Sequence, residues 1–340
     1  DPKDHELKSF SLDRDETYIL PMIKKAQEIS KNQIKLMLTP WSPPAFMKTN
    51  GQKNGGGQLK SEYRSLWAKY ICRYIKEYRK RGVEVVAISV QNEPKATQTW
   101  DSCVFSAAEE GEFVSEFLSP HLQIENLKNI EIIIWDHNKE RAYERTRDTL
   151  SVGNCREDVS GIGFHWYSGD HFEALDIIRS KYPEKHLIFT ESCIEYSKFA
   201  GDNQLKNAQM YAHDIIGNLN AGMNAFIDWN IVLDETGGPN HVGNLCDAPI
   251  MCNVGNNTYE KRISFDYIGH FSKYILPDAV RVGHRKYTDK LEVTAFRNVD
   301  GTYAAVVLNR TTEKIPYTLR VEGRICSLEA APSGISTLLF

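Results

Sequence analysis

Long apolar runs are missing from this sequence. None is long enough to cross a bilayer, so no membrane-spanning helix is expected. An excess of one charge is missing too. Lys plus Arg number 41 and Asp plus Glu 45 among 340 residues, a net charge of −4. That balance offers no electrostatic footprint for nucleic acid or for an anionic membrane surface. The seven cysteines (Cys72, Cys103, Cys155, Cys193, Cys246, Cys252 and Cys326) contain no C-x-x-C pair, which removes thioredoxin-like redox chemistry and zinc ribbons. Their odd, scattered set reads as free thiols in a reducing compartment such as the cytoplasm. One or two disulfides are the alternative, and a secreted or lysosomal-like setting stays open. The ten histidines include no H-E-x-x-H, so a metalloprotease is excluded and no metal is expected. No G-x-S-x-G elbow and no G-x-G-x-x-G after a strand occur, against a serine α/β-hydrolase and a dinucleotide site. The Gly55-Gly56-Gly57 stretch lacks the Gly-Lys-Ser/Thr ending of a phosphate loop and reads as a flexible surface loop. Two glycosylation sequons, at Asn256 and Asn309, are short enough to arise by chance.

What is present is an alternation of short β-rich runs with amphipathic helical runs, the pattern of parallel α/β architecture. The runs are Ile34–Leu38, Val85–Val90, Ile130–Trp135, Ile162–His165, Leu187–Thr190 and Ala225–Trp229. Several are apolar on consecutive residues, as strands buried on both faces are. Between them, Tyr63, Leu66, Trp67, Tyr70, Ile71, Tyr74, Ile75 and Tyr78 recur at helical spacing ahead of Gly82. Ser106-Ala107-Ala108-Glu109 reads as a capping box. Further helices are expected around Leu205–Leu219 and Phe265–Ile275. After about residue 285 only short strands follow, with Asp300-Gly301 marking a hairpin turn, so a smaller antiparallel domain is expected there.

In α/β barrels the reacting groups sit where strands end. Here those ends read Thr39-Pro40-Trp41, Gln91-Asn92-Glu93-Pro94, Trp135-Asp136-His137-Asn138, His165-Trp166-Tyr167, Thr190-Glu191-Ser192 and Asp228-Trp229-Asn230. This rim is rich in aromatic rings and carboxylates and almost lacks Lys and Arg. Rings stack on the C–H face of a sugar while amides and carboxylates bond its hydroxyls. Two glutamates ending different strands add glycoside cleavage, with Glu93 as general acid and Glu191 as nucleophile. A negative Glu191 would raise the pKa of Glu93, and the loss of that charge in the glycosyl-enzyme would let Glu93 turn base. Asn92 suits the sugar 2-hydroxyl. Trp41, Trp135 and Trp229 also suit core packing, and His165 is a supporting candidate on the sugar side.

These motifs, with Lys48-Thr49-Asn50-Gly51, Glu191-Ser192-Cys193, Gly237-Gly238-Pro239-Asn240 and Gly269–Lys273, resemble glycoside hydrolase family 30, the family of acid β-glucosidase (glucosylceramidase). The resemblance implies an α/β fold, a (β/α)8 TIM barrel over residues 1–284 with an antiparallel β-sandwich side domain over residues 285–340. It implies a retaining mechanism, no cofactor, acid/base Glu93 and nucleophile Glu191. It also implies sugar contacts at Trp41, Asn92, Trp229 and Asn244, with Tyr167 beside the nucleophile. The expected substrate is a β-linked glycoside such as a glycolipid or oligosaccharide, in an exo-acting β-glucosidase or glucosylceramidase reaction. β-Xylosidase, β-fucosidase, endo-β-1,6-glucanase and a non-catalytic sugar-binding fragment are the alternatives. The six runs then count as barrel strands three to eight, with strands one and two missing. With an N-terminus that reads Asp1-Pro2-Lys3-Asp4-His5, the active protein is expected to be longer by on the order of 80–100 residues.

Overall fold

The computed structural model describes residues 2–340, which fall into two compact units divided after Ile188. In the first unit, strands β1 (Lys35–Leu38), β2 (Glu84–Ser89), β3 (Glu131–Asn138) and β4 (Val159–His165) lie side by side and parallel, in sequence order. β5 (His186–Glu191) comes next. It runs so close to β4 that a Cβ on Gly161 would lie 2.9 Å from the His186 carbonyl oxygen. Only glycine lets the two backbones approach in this way. Ala87, Ile133 and Ile188 form a buried cluster on this sheet, with Met37 and Val86 packed against it.

The connecting helices follow the sequence periodicity. In the helix Arg64–Lys80 the buried positions include Leu66, Trp67, Ile71, Ile75 and Tyr78, one stripe against the sheet. Each such side chain contributes roughly 1.5–3 kcal/mol on burial. Arg79 and Lys80 occupy its last turn, where cations suit the helix dipole, and Gly82 turns the chain at φ 77°. The helix Ala107–Glu112 starts on the expected capping box: Ser106 Oγ accepts from the Glu109 N–H at 3.1 Å, and Glu109 Oε2 accepts from the Ser106 N–H at 2.8 Å.

The triglycine stretch is a correction to the flexible-loop expectation. Gly55, Gly56 and Gly57 all have φ between 67° and 73°. The segment is tied down by Gly55 N–H to Gln98 O, Gly56 N–H to Ser102 Oγ and Val104 N–H to Gly57 O. Glycine serves here to bring the backbone past Thr97 and Asn50, whose atoms a Cβ would meet below 3.0 Å, and not to provide mobility. Beneath it, the fully buried Lys48 donates from Nζ to Lys53 O at 2.9 Å and Ser102 O at 2.6 Å, and burial lowers its pKa. Lys48→Met keeps the volume and strands two carbonyls without their donor. It is expected to cost about 1–3 kcal/mol of unfolding free energy in urea titrations; an unchanged midpoint would show the donor to be dispensable.

The second unit begins inside β5. Short strands follow: β6 (Ile194–Glu195), β7 (Ala225–Phe226), β8 (Val232–Asp234), β9 (Cys246–Asp247), β10 (Ile250–Asn253) and β11 (Thr258–Lys261). β7 sits beside the end of β5, where Ile227 N–H reaches Phe189 O at 2.7 Å. It is shorter than the expected run Ala225–Trp229. Helices Gln204–Asn220 and Ile263–Ser272 occupy the expected regions. The small sheets β11-β10-β8 and β6-β9 had no periodic signal, since strands of two to four residues are too short to show one.

The C-terminal strands are β12 (Val280–Arg281), β13 (Leu291–Arg297), β14 (Tyr303–Asn309), β15 (Ile315–Val321), β16 (Arg324–Ala330) and β17 (Ile335–Leu339). They form an antiparallel sheet β12-β13-β14-β17 and a hairpin β15-β16. Leu291, Val307 and Ala330 meet between the two layers with Ile315, Tyr317 and Leu338, giving the expected β-sandwich. Gly301 makes the expected turn at φ 88°, with Asp300 Oδ1 accepting from the Thr302 N–H and hydroxyl. Asn309 is fully buried with its amide held by Glu313 O and Ala331 O, so that sequon lies in the interior.

Candidate active site

In the first unit the candidate residues are built on the ends of β1 to β4. Asn92 N–H bonds Pro40 O at 2.9 Å, and Gln91 Nε2 bonds Trp41 O at 2.8 Å, locking the loop after β2 to the loop after β1. Trp41 and Asn92 are thus brought together through their backbones. Glu93 follows at φ 43°, a left-handed conformation that a β-carbon disfavours, with its N–H on Asp136 O at 2.9 Å.

β3 ends in a bulge. Its register against β4 slips between Trp135 and His137, and Trp135 and Asp136 have φ of 70° and 48°. Three non-glycine residues in left-handed backbone within this small region store on the order of 1–3 kcal/mol each. A buried network holds the bulge in place. Glu110, fully buried, accepts from Trp135 N–H at 3.0 Å, Arg145 Nε at 3.1 Å and Thr149 Oγ1 at 3.1 Å. The Arg145 guanidinium also lies over the Trp135 ring, 5.4 Å from its centroid. Trp135 is therefore a core residue, 1% exposed.

The bulge turns Asp136 and His137 toward β2 and β4. Ser89 Oγ donates to Asp136 Oδ2 at 2.6 Å, and His165 Nε2 lies 3.1 Å from Asp136 Oδ1. His165 Nδ1 lies 3.3 Å from Glu93 Oε1, and His137 Nδ1 lies 3.5 Å from the same oxygen. Gln98 Nε2 reaches Glu93 Oε2 at 3.4 Å. Burial raises the Glu93 pKa, while the hydrogen bond and charge of His165 and the charge of His137 lower it; the balance lies below the ordinary glutamate value. The expectation from sequence was a Glu93 held up by a negative Glu191. Within its own unit the imidazoles prevail, because they stabilise the carboxylate. Burial in turn lowers the pKa of His137. Tyr167 is positioned by its N–H on Asn138 Oδ1 at 3.1 Å, its ring edge-on to His165.

The second unit holds its own set of candidate residues. Glu191 ends β5 almost fully buried, and Trp229 N–H bonds Ser192 O at 2.9 Å, leaving the Trp229 side chain 41% exposed. Ser192 Oγ donates to Asp228 Oδ1 at 2.8 Å and Tyr211 OH donates to the same carboxylate at 3.1 Å. Burial nevertheless pushes the Asp228 pKa up to about 7. Asn244 is set by Asn240 Oδ1, which accepts its N–H at 3.1 Å. Gly237 is required nearby: at φ 90°, a Cβ there would lie 2.4 Å from Cys246 O. All seven cysteines are free, as expected, although Cys193 and Cys246 approach to 3.7 Å between sulfurs.

Sequence reasoning placed Asp136, His137 and Asp228 at strand ends but gave them no role, and it did not single out Gln98 or Tyr211. A signal existed for His137, a histidine ending a buried strand, but alternation along β3 cannot reveal a bulge. No helix among the described residues is long and apolar enough to cross a membrane.

Two family models match the chain. The glycosyl hydrolase family 30 TIM-barrel domain covers residues 1–275, and the family's beta sandwich domain covers residues 278–338. Over 336 residues the chain is 32% identical to the lysosomal acid glucosylceramidase of Mus musculus, covering 94% of this chain and 65% of that protein. It spans less than two thirds of the length of the curated glucosylceramidases it matches. Among solved structures, SrfJ from Salmonella typhimurium is 40% identical with a TM-score of 0.95, over 99% of this chain and 75% of that one. The endo-beta1,6-glucanase BT3312 is 26% identical with a TM-score of 0.89, over 98% of this chain and 76% of that one. With both of its domain models matched in order along nearly the whole sequence, this chain belongs to glycosyl hydrolase family 30.

Proposed function

We propose that this protein is a retaining, exo-acting β-glycosidase that hydrolyses β-glucosides by double displacement, of the glucosylceramidase or β-glucosidase type, with no cofactor. Glu191 is the nucleophile and Glu93 the acid/base. In the first step the Glu191 carboxylate bonds to the anomeric carbon, the glycosidic C–O bond breaks, and the Glu93 proton goes to the leaving oxygen. In the second step water attacks the anomeric carbon, Glu93 takes the water proton, and Glu191 departs as carboxylate. Trp41, Asn92, Tyr167, Trp229 and Asn244 are proposed to hold the sugar, the rings against its apolar face and the amides on its hydroxyls; His165, fully buried with its nitrogens on Glu93 and Asp136, supports Glu93 in place of the sugar contact expected from the sequence.

The observation that carries this reading is the setting of Glu93. A carboxyl at a strand end, on strained backbone, lies within 3.5 Å of two imidazoles, one of them seated on a buried aspartate. Such a carboxyl has imidazole neighbours that stabilise its ionised form, the form that takes the water proton in the second step, which a solvated loop glutamate lacks. The likeness to a glucosylceramidase supports the β-glucoside, and the likeness to an endo-β1,6-glucanase favours a second reading, cleavage within a 1,6-linked glucan.

Proton NMR of aryl β-glucoside hydrolysis tests the mechanism: the sugar is expected to appear first as the β-anomer, and an initial α-anomer would overturn retention. A panel of aryl β-glucosides, β-xylosides and β-fucosides beside a 1,6-linked glucan tests the specificity. Faster release of oligosaccharides from the glucan than of aglycone from the aryl glucoside would replace the exo reading with the endo one.

A further inference from the structure

Glu93, His137 and His165 come from the ends of three different strands, so no sequence spacing marks them as a set. In space their ligating atoms all lie within 4.8 Å of one another. His165 is fully buried, and its Nε2 faces Asp136 Oδ1 at 3.1 Å, where a carboxylate accepts a proton-bearing nitrogen. Asp136 is buried too and its other oxygen accepts from Ser89 at 2.6 Å. His165 Nδ1 lies 3.3 Å from Glu93 Oε1, so that with the ring proton kept on Nε2 by Asp136 it is Nδ1 that is left to ligate an ion in place of the proton this pair shares. The Nδ1 of His137, buried and with no hydrogen-bond partner, lies 3.5 Å from the same oxygen. Three ligating atoms converge on one point, where a metal ion can take the place of a shared proton.

We propose that Glu93, His137 and His165 form a binding site for a divalent transition-metal ion, zinc foremost, and that the ion switches the active site off by taking the place of the acid proton. Zinc bonds nitrogen and oxygen at about 2.0–2.2 Å with tetrahedral angles, which sets ligand atoms about 3.3–3.5 Å apart. The two separations from Glu93 Oε1 already match. Rotation of the His137 ring, packed at 6.2 Å and 64° to that of His165, closes the third edge. Two imidazoles and one carboxylate leave the fourth position open to water, as in three-ligand zinc sites. The carboxylate behind the ligating histidine is the support that such sites use to fix ring orientation and tautomer. The donor set is wrong for calcium or magnesium, which take mostly oxygen.

Binding of zinc does not depend on the catalytic reading; only the inhibition rests on Glu93 being the acid. The experiment titrates the full chain with zinc against a chromophoric chelator, and with cobalt(II) read by its visible absorption. One equivalent is expected in the parent protein, with the tetrahedral cobalt spectrum, and that equivalent is lost in His137→Ala. Asp136→Asn, which keeps both ligating histidines, is expected to bind 10–100-fold more weakly. Circular dichroism confirms that each variant is folded. An equivalent that persists unchanged in folded His137→Ala and His165→Ala variants, or no zinc bound by the parent, overturns the site. In parallel, zinc should abolish aryl β-glucoside turnover and a chelator should restore it. Zinc bound with the stated ligand dependence but without effect on turnover keeps the site and removes Glu93 from the role of acid.

Discussion

Glu191→Ala is expected to slow hydrolysis of an activated aryl β-glucoside by on the order of 10^5-fold, the scale of removing a covalent nucleophile. Added azide should restore much of the rate and yield an α-glycosyl azide. Removing the carboxylate leaves room beside the anomeric carbon on the face from which Glu191 attacks. A small anion entering there inverts the centre once and cannot be displaced by water. Glu191 lies almost fully buried at the end of β5, which limits the space opened to that of the lost side chain. The matching change at Glu93 behaves differently, because an activated leaving group needs little protonation and its azide product keeps the β configuration. An α-glycosyl azide from Glu93→Ala, with Glu191→Ala unresponsive, would exchange the two roles.

Asp228→Asn is expected to change how stability depends on pH. Burial pushes the Asp228 pKa from 3.8 in an open chain up to about 7 in the folded protein. A carboxyl raised on folding favours the folded state fully below its unfolded pKa, and that contribution is lost as pH rises through the folded value. Between about pH 4 and pH 7 the parent thus loses up to about 4 kcal/mol through this group, at about 1.4 kcal/mol per pH unit. Asparagine still accepts from Ser192 and Tyr211 but has nothing to ionise. Urea unfolding at pH 4.5 and pH 8 should show the variant gaining on the parent as pH rises. A stability difference that is flat across this range would mean that Asp228 ionises in the folded protein as readily as in the open chain.

Much of the fold was legible because its signals are local. Parallel strands buried on both faces announce themselves as continuous apolar runs, as Ile132–Ile134 does in β3. The stripe of the helix Arg64–Lys80 and the capping box at Ser106 repeat within a turn or two. Glu93 and Glu191 were legible for the same reason, since each follows an apolar run, Glu191 at the end of β5 and Glu93 in the loop just after β2. The triglycine loop was misread because composition reports what a backbone is permitted to do. Its bonds to Gln98 and Ser102 come from residues more than forty positions away.

By itself the sequence determined the order of elements, the division between parallel strands and a C-terminal sandwich, and which two glutamates lie where strands end. These depend on periodicity and on short-range capping, which travel with the chain. Only the tertiary structure decided what surrounds those glutamates. The β3 bulge, held by Glu110 and Arg145 from elsewhere in the chain, turns Asp136 and His137 out of strand alternation. That turn brings His137 to Glu93 and sets Asp136 against His165 of β4, and the two imidazoles reverse the expected direction of the Glu93 pKa. The reason is physical: a pKa and a ligand set are sums over neighbours in space, and a sequence lists neighbours along a line.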